Sequence, residues 1–141
     1  MNYKVIEHTA DIGLKVTGKT LGQFYENAAF GMFSMLSDPK RVKAGSSLAV
    51  EAHGIDLETL LVAWLNELLY LSCKRKTVFS WFKAGIKRRG RSEYVLKGIA
   101  KGEKIARGNP APNFEIKAAT YHGLKVKKIR SGYSTTIYFD I

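Results

Sequence analysis

Hydrophobic and polar residues alternate in the first part of the chain and then recur at helical spacing. Strands are predicted over residues 3–6 and 12–17, and in the second of them apolar residues at 12, 14 and 16 alternate with the others, so one face is buried. A helix is predicted to begin at Thr20, which is placed to form a capping box with Gln23. The helix should end at 38–39, an Asp-Pro pair, because the residue before proline avoids the helical conformation.

A second strand-helix unit follows. Residues 48–53 alternate and predict a half-buried strand. Asp56 is the predicted N-cap of the most hydrophobic helix of the chain, which ends in the cations of residues 74–76. Cys73 lies near the end of this helix, and we expect it to pack as an inert side chain.

The rest of the chain reads as strands separated by turn residues. Strands are predicted over 77–88, 93–101, 114–120, 124–130 and 134–140, with turns at 89–92, 108–110, 122–123 and 131–132. This order predicts an α+β fold, a two-layer sandwich in which two amphipathic helices cover one face of a mostly antiparallel sheet. We expect a single domain over residues 1–141.

Composition places the chain among soluble globular proteins. Its 141 residues are 45% hydrophobic and 25% charged, which suits one domain and argues against disorder. No apolar run approaches the roughly 20 residues of a membrane span, and the start lacks the features of a signal peptide. A cytoplasmic location is therefore expected. The single cysteine excludes an internal disulfide and a CxxC metal site.

Charge is distributed unevenly along the chain. The net charge is +11, but residues 1–73 carry six basic and eight acidic side chains, whereas residues 74–130 carry 17 basic and three acidic ones. Such asymmetry indicates either a surface that meets nucleic acid or an acidic protein, or solvated strand faces without a partner. The sequence leaves both interpretations open.

Common nucleotide, zinc and serine-hydrolase motifs are absent, and three polar segments remain as candidates. Residues 7–13 form a polar cluster between two strands, for which a plain Asx-type turn is the simpler interpretation. Residues 137–141 place Asp140 outside the core beside the terminal carboxylate. The two groups repel unless a cation joins them, and the alternative is a frayed tail. In residues 114–123, Glu115 and Lys117 are expected to form a cross-strand salt bridge.

Several segments together resemble the archease family. They are HTADIG at 8–13, DLETLL at 56–61 leading into WLNELLY at 64–70, GE at 102–103, KAATYHG at 117–123, and the final DI at 140–141. Each motif is weak alone, but they occur in the family order and extend over the whole chain.

The resemblance implies a small cytosolic protein with an α/β sandwich fold that assists the RNA-splicing tRNA ligase. That ligase joins tRNA halves bearing a 2′,3′-cyclic phosphate or 3′-phosphate to a 5′-hydroxyl, using GTP and a divalent metal, usually Mn²⁺. The chain is expected to speed guanylylation of the ligase's active-site histidine and to permit multiple turnovers, without performing bond chemistry itself. The expected partners are this ligase and, indirectly or weakly, tRNA, but no membrane.

The resemblance also implies a metal site formed by Asp11, Asp140 and the terminal Ile141. Oxygen ligands suit a hard cation rather than zinc: Ca²⁺ in a crystal, and Mg²⁺ or Mn²⁺ in the cell. The terminal carboxylate is a ligand only if the chain ends at Ile141. His8 is expected to support a metal ligand or to bind a softer metal such as Mn²⁺. Two further residues are expected to contact the partner: Lys117 and His122.

Two features depart from the family pattern. Residues 104–112 lack the histidine expected near the middle of this loop, which leaves the role of the loop open. The strong basicity is a feature of this chain, and we expect a basic patch of Arg88, Arg89 and Arg91 at an exposed turn to attract the ligase–tRNA complex.

Two other functions compete with ligase activation. One is a basic module that binds tRNA directly, and the other is a chaperone-like modulator of tRNA-modifying enzymes such as methyltransferases. RNA binding predicts aromatic residues interleaved with cations on an open sheet face. Phe79 and Trp81 are candidates for such a face, but either is also a candidate for the core.

Overall fold

A computed structural model describes residues 2–7, 11–105 and 115–141. Two α-helices, one short 3₁₀ helix and eight strands are seen in these ranges. The strands are β1 Tyr3–Glu7, β2 Asp11–Gly18, β3 Ser46–Gly54, β4 Thr77–Arg89, β5 Glu93–Lys104, β6 Ala118–Ala119, β7 Lys127–Ile129 and β8 Gly132–Asp140. The helices are α1 Leu21–Leu36, the 3₁₀ helix Pro39–Arg41, and α2 Leu57–Arg75.

The strands form two antiparallel sheets. The five-stranded sheet has the order β1-β2-β8-β6, with β7 paired to β8, and the three-stranded sheet has the order β3-β5-β4. The predicted α+β class and antiparallel pairing are confirmed. The division of the strands between two sheets was not indicated by the hydrophobic pattern, because alternation reports which face of a strand is buried but not which strand lies beside it.

Both helices pack against both sheets and form the core with them. Phe24, Ala28 and Phe33 of α1 are buried, and the indole N–H of Trp64 in α2 donates to the carbonyl of Tyr25 at 3.0 Å. Each sheet thus buries one face against the helices, and no helix in the described ranges covers its other face. We call these open sides the five-stranded face and the three-stranded face.

Side chains cap the helices largely as the sequence predicts. Thr20 accepts a hydrogen bond from the backbone N–H of Gln23 at 3.1 Å, but the full reciprocal capping box is at Asp56 and Thr59. Lys76 ends α2 in the left-handed conformation, with a φ of 49°. No helix in the described part of the chain is long and apolar enough to cross a membrane.

Two predicted strands are shorter than expected. The structure describes residues 115–120 of the predicted strand 114–120, and of these only 118–119 are in a sheet, because β8 ends at Asp140 and offers the described residues before 118 no strand to pair with. Only residues 127–129 of the predicted strand 124–130 pair with β8, since the N–H of Val126 donates instead to the Glu58 carboxylate at 2.7 Å.

Two side-chain predictions are wrong. Cys73 is exposed rather than packed, because it lies on the solvent side of the last turn of α2. Glu115 and Lys117, both described, form no salt bridge, because neither lies within a paired strand.

Candidate metal site at the end of the five-stranded sheet

Strand register places the two aspartates of the expected metal site beside each other. Asp11, the first residue of β2, lies directly opposite Asp140, the last residue of β8. Their neighbours Ile12 and Phe139 are buried, so alternation directs both aspartates to the five-stranded face. Residues paired in this way have β-carbons about 4.5–5.5 Å apart, close enough for both carboxylates to reach one cation.

The charge of this pair is not neutralised by nearby side chains. Among the described residues, no lysine or arginine lies within ion-pair distance of Asp11 or Asp140. The Oδ1 atom of Asp11 is buried and has no hydrogen-bond partner in the described part of the chain. A buried carboxylate oxygen without a partner is unfavourable. A divalent cation would give this oxygen a partner and would offset the repulsion between the two carboxylates. The residues present therefore fit a hard cation.

Further ligands would have to come from groups next to the pair. In the described ranges, no group of three or more His, Cys, Asp or Glu side chains is arranged to hold a metal. Ile141 follows Asp140 directly, so its main-chain carbonyl oxygen lies near the pair. His8 lies outside the described residues, as do residues 106–112 of the loop that departs from the family pattern.

Pairing on both sides holds Asp140 in place. Its backbone is paired with Asp11 on one side and with Ala118 of β6 on the other. The N–H of Lys117 also donates to the carbonyl of Asp140 at 2.8 Å, so the backbone of Lys117 lies next to the acidic pair. The chain end at 137–140 is therefore an ordered, central strand rather than a frayed tail.

Asn66 of α2 fixes β6 from the helix side. Its Oδ1 accepts from the N–H of Ala119 at 2.7 Å, and its Nδ2 donates to the carbonyl of the same residue at 3.3 Å. Both backbone groups of Ala119 are thus satisfied by one amide, which takes the place of a neighbouring strand. Sequence reasoning assigned Asn66 no role, although an amide within an apolar helix segment signals a buried hydrogen bond.

Tyr138 connects His122 to the acidic pair. It lies on β8 two residues before Asp140, on the same face. A β-carbon at Gly13, its partner on β2, would approach the tyrosine ring to 2.8 Å, so the ring lies against this glycine. The His122 ring packs edge-on against Tyr138 with centroids 6.2 Å apart. His122 and the acidic pair therefore share the five-stranded face.

The predicted basic patch lies elsewhere. Arg88, Arg89 and Arg91 are exposed at the β4–β5 turn, as expected, where Gly90 has a φ of 68°. Consecutive strand residues point to opposite faces, which separates Arg88 from Arg89. The Arg88 guanidinium donates to the carbonyl of Arg91 at 3.0 Å and lies 5.6 Å from the ring centroid of Tyr94. The three arginines surround a hairpin tip and do not form a patch on one face.

The two aromatic candidates for RNA contact differ in exposure, and only one of them reaches the surface. Phe79 is in the core at 2% exposure, whereas Trp81 is 42% exposed on the three-stranded face. The ammonium of Lys101 lies 4.5 Å from the centroid of the Trp81 ring.

Comparison with known proteins relates the whole chain to one family. The Archease protein family (MTH1598/TM1083) matches residues 3–141. The chain is 38% identical to Protein archease of Methanosarcina mazei over 139 residues, 99% of this chain and 95% of the relative. It is 37% identical to Protein archease of Pyrococcus furiosus over 126 residues, 89% of this chain and 88% of the relative.

A solved structure shows the same fold. The solution structure of Methanobacterium thermoautotrophicum protein 1598 superimposes with a TM-score of 0.82 at 28% identity, and the match covers 99% of each chain. The sequence match and the shared fold agree over nearly the full length. The chain belongs to the archease family.

Proposed function

We propose that this chain is a non-catalytic activator of the ligase that joins RNA ends bearing a 3′-phosphate or 2′,3′-cyclic phosphate during tRNA splicing. It would promote guanylylation of the ligase and multiple turnover, while the ligase performs the bond chemistry. Family membership and the juxtaposition of Asp11 with Asp140 support this proposal.

The acidic pair is the observation that carries the proposal. Asp140 is exposed, so the pair is open to a macromolecular partner rather than enclosed in a pocket. Asp11 and Asp140, with a main-chain oxygen of Ile141 and His8 as further candidates, would hold a divalent cation such as Ca²⁺, Mg²⁺ or Mn²⁺. Such a cation would neutralise the pair and offer remaining coordination positions to oxygen ligands. Lys117 and His122 would contact the partner around this point.

Ligase turnover tests the activator proposal. Purified ligase is given GTP, Mn²⁺ and tRNA halves with a cyclic phosphate, with and without this protein. We expect the protein to speed ligase guanylylation and to convert a single turnover into many. Equal guanylylation and turnover in both reactions would contradict the proposal.

Thermal unfolding tests the cation without using the ligase. The unfolding midpoint of the protein is measured with EDTA and with added Ca²⁺, Mg²⁺ or Mn²⁺. A cation that binds only the folded state raises the midpoint in proportion to the logarithm of its concentration above the dissociation constant. We expect a rise in the unaltered protein that is lost in the Asp11→Asn/Asp140→Asn variant. An equal response of the two proteins would remove the pair as the metal site.

An alternative is a chaperone-like or RNA-binding modulator of tRNA-modifying enzymes. Its RNA-binding part is favoured by the exposed Trp81 beside Lys101. A tRNA methyltransferase assayed with and without the chain separates the alternative from ligase activation. Faster methylation without any effect on the ligase would favour the alternative.

A further inference from the structure

Trp81 reaches the surface through a local irregularity in β4. Strict alternation would put Trp81 on the same side as Phe79, which is buried. The pairing of β4 with β5 shifts register between these two residues, which leaves Ser80 as the extra residue of a bulge. The bulge turns Trp81 outward while Phe79 and Phe82 both remain in the core. Bulges commonly redirect a side chain at functional sites.

Cations surround this tryptophan on the same face. Strand pairing joins Trp81 to Lys101 and Lys83 to Ile99, and Ile99 is 40% exposed. The cations of β4 and β5 on this face, read from the alternation and the register, are Lys83, Lys87, Arg89, Lys97 and Lys101. Three carboxylates lie on the same face by the same reading. They are Glu51 and Glu93, which His53 bridges, and Glu103, which accepts from the backbone N–H of Lys43. Positive charge therefore exceeds negative charge across an open, partly apolar surface.

This combination has the chemistry of a single-stranded nucleic acid platform. An exposed aromatic ring stacks on a base without regard to sequence, and lysines on either side pair with the phosphates. The contact of Lys101 with Trp81 is weak at an exposed site, so the flexible lysine can move to a phosphate when a base takes its place. Duplex RNA offers no free base for stacking, which favours a single strand.

We propose that the three-stranded face, centred on Trp81 with Lys83, Lys97 and Lys101 around it, binds single-stranded RNA. The choice of RNA over DNA rests on the proposed function, in which the partner enzyme joins RNA ends. The binding surface itself rests on the bulge, the exposed ring and the excess of lysines. It is distinct from the acidic pair on the five-stranded face.

Fluorescence anisotropy tests this surface without the ligase. The full chain is titrated into a labelled single-stranded RNA of about 12 nucleotides, within the range of site sizes for such surfaces. Trp81→Ala should weaken binding about tenfold, since one base loses its stacking partner. Trp81→Phe should restore most of the affinity. The matched control is Tyr70→Ala, because Tyr70 is also exposed and has the Lys74 ammonium 5.6 Å from its ring centroid, but lies on α2.

Salt dependence tests the lysines. Lys83→Gln/Lys97→Gln should lower the slope of log affinity against log salt by about 1.4, or roughly 0.7 for each phosphate contact to a single strand. Lys4→Gln/Lys15→Gln removes the same charge from paired positions on the five-stranded face and should leave the slope nearly unchanged.

Several outcomes would overturn the proposal. They are no binding to single-stranded RNA, equal losses in the Trp81 and Tyr70 variants, and equal slopes for the two lysine double variants. Tighter binding to a duplex of the same sequence would overturn the assignment to a single strand, and markedly tighter binding to the DNA strand would overturn the assignment to RNA. Ligase activation at saturating protein should survive in Trp81→Ala, so failure of this proposal and failure of ligase activation are seen in different assays.

Discussion

The five-stranded face and the three-stranded face of this protein carry different chemistry on the same scaffold. Both belong to antiparallel sheets that bury their other face against α1 and α2. The five-stranded face brings Asp11 and Asp140 together without a cation from the described residues, whereas the three-stranded face places Trp81 among lysines. The five-stranded face therefore carries a negative pair at one end, with Lys4 and Lys15 farther along it, whereas the three-stranded face carries an excess of positive charge around Trp81.

The difference shows that the function of each face depends on the residues at alternate strand positions. The core positions of both sheets carry the same kind of apolar side chain. Most outward positions are less closely packed than the core positions, so charge can be concentrated on either face with little effect on the fold. The expected division of labour assigns metal binding and ligase activation to the five-stranded face, and RNA attraction to the three-stranded face.

Removing the acidic pair should produce the largest effect. Asp11→Asn/Asp140→Asn is expected to abolish ligase activation, because the cation loses both carboxylates. The free energy of unfolding without metal should change by less than about 0.5 kcal/mol or rise, since two repelling charges disappear. Ligase turnover and urea unfolding measure the two effects.

A matched variant on the other face tests the division. Glu51→Gln/Glu93→Gln removes the same number of carboxylates from the three-stranded face, where they contact His53. Activation at saturating protein should survive in this variant. Two results would contradict the assignment of activation to the five-stranded face. One is normal ligase activation by Asp11→Asn/Asp140→Asn, and the other is loss of ligase activation in Glu51→Gln/Glu93→Gln.

Disrupting the support of β6 should have the next largest effect. Asn66→Ala leaves the N–H and carbonyl of Ala119 without their partner, which should lower the free energy of unfolding by about 1–3 kcal/mol. The amide hydrogen of Ala119 should exchange faster, and a higher concentration of metal should be needed to raise the unfolding midpoint. Asn66→Asp keeps an acceptor for the N–H and should cost less. Equal metal response in Asn66→Ala and the unaltered protein would limit Asn66 to stability.

Much of the fold follows from local patterns in the sequence, but the faces depend on pairing. Alternation and capping residues predicted both helices and most strands, because these signals are local. Trp81 could not be placed, since only the register shift beside Ser80 sends it outward while Phe79 stays inside. The juxtaposition of Asp11 and Asp140 joins residues at opposite ends of the chain, and no local pattern reports that distance.

Neutralising the hairpin tip should change how fast the protein meets its partner. Arg88→Gln, Arg89→Gln and Arg91→Gln together should slow association with the ligase–tRNA complex severalfold and flatten its salt dependence, because exposed charges act mainly on encounter. Turnover at saturating protein should persist. Of the three single variants, Arg88→Gln should slow association least, since the Arg88 guanidinium already contacts the Arg91 carbonyl and the Tyr94 ring.

The control for the hairpin tip removes the same charge from another exposed segment. Lys40→Gln, Arg41→Gln and Lys43→Gln should slow association less than the hairpin variant does. If the hairpin variant lost activation at saturation while still binding normally, the arginines would belong to the activation mechanism and not to encounter.

The smallest expected effect is a pH dependence on the three-stranded face. Hydrogen bonds to two carboxylates, to Glu51 first and to Glu93 as the smaller cause, raise the pKa of His53 above its ordinary value of 6.5. The hydrogen bond to His53 in turn lowers the pKa of Glu51 below its ordinary value of 4.5. The charged groups around this cluster are Glu51 on β3, Glu93 and Lys97 on β5, and Arg89 on β4. The stabilisation from His53 is fully present below pH 6.5 and is lost as pH rises through its raised pKa. The stabilisation from Glu51 is lost as pH falls through its lowered pKa, so both contribute between about pH 4.5 and 6.5.

NMR titration of the His53 ring protons checks this order of causes. Glu51→Gln should lower the pKa of His53 more than Glu93→Gln does, because the bond to Glu51 is the larger cause. Protonated His53 adds a positive charge to the three-stranded face, so RNA affinity should fall modestly as pH rises through the His53 pKa. Glu51→Gln/Glu93→Gln should bind RNA more tightly than the unaltered protein, since it removes two negative charges from this face. Weaker RNA binding by that variant would mean that the carboxylates assist RNA binding, and the contrast between the faces would not be one of charge.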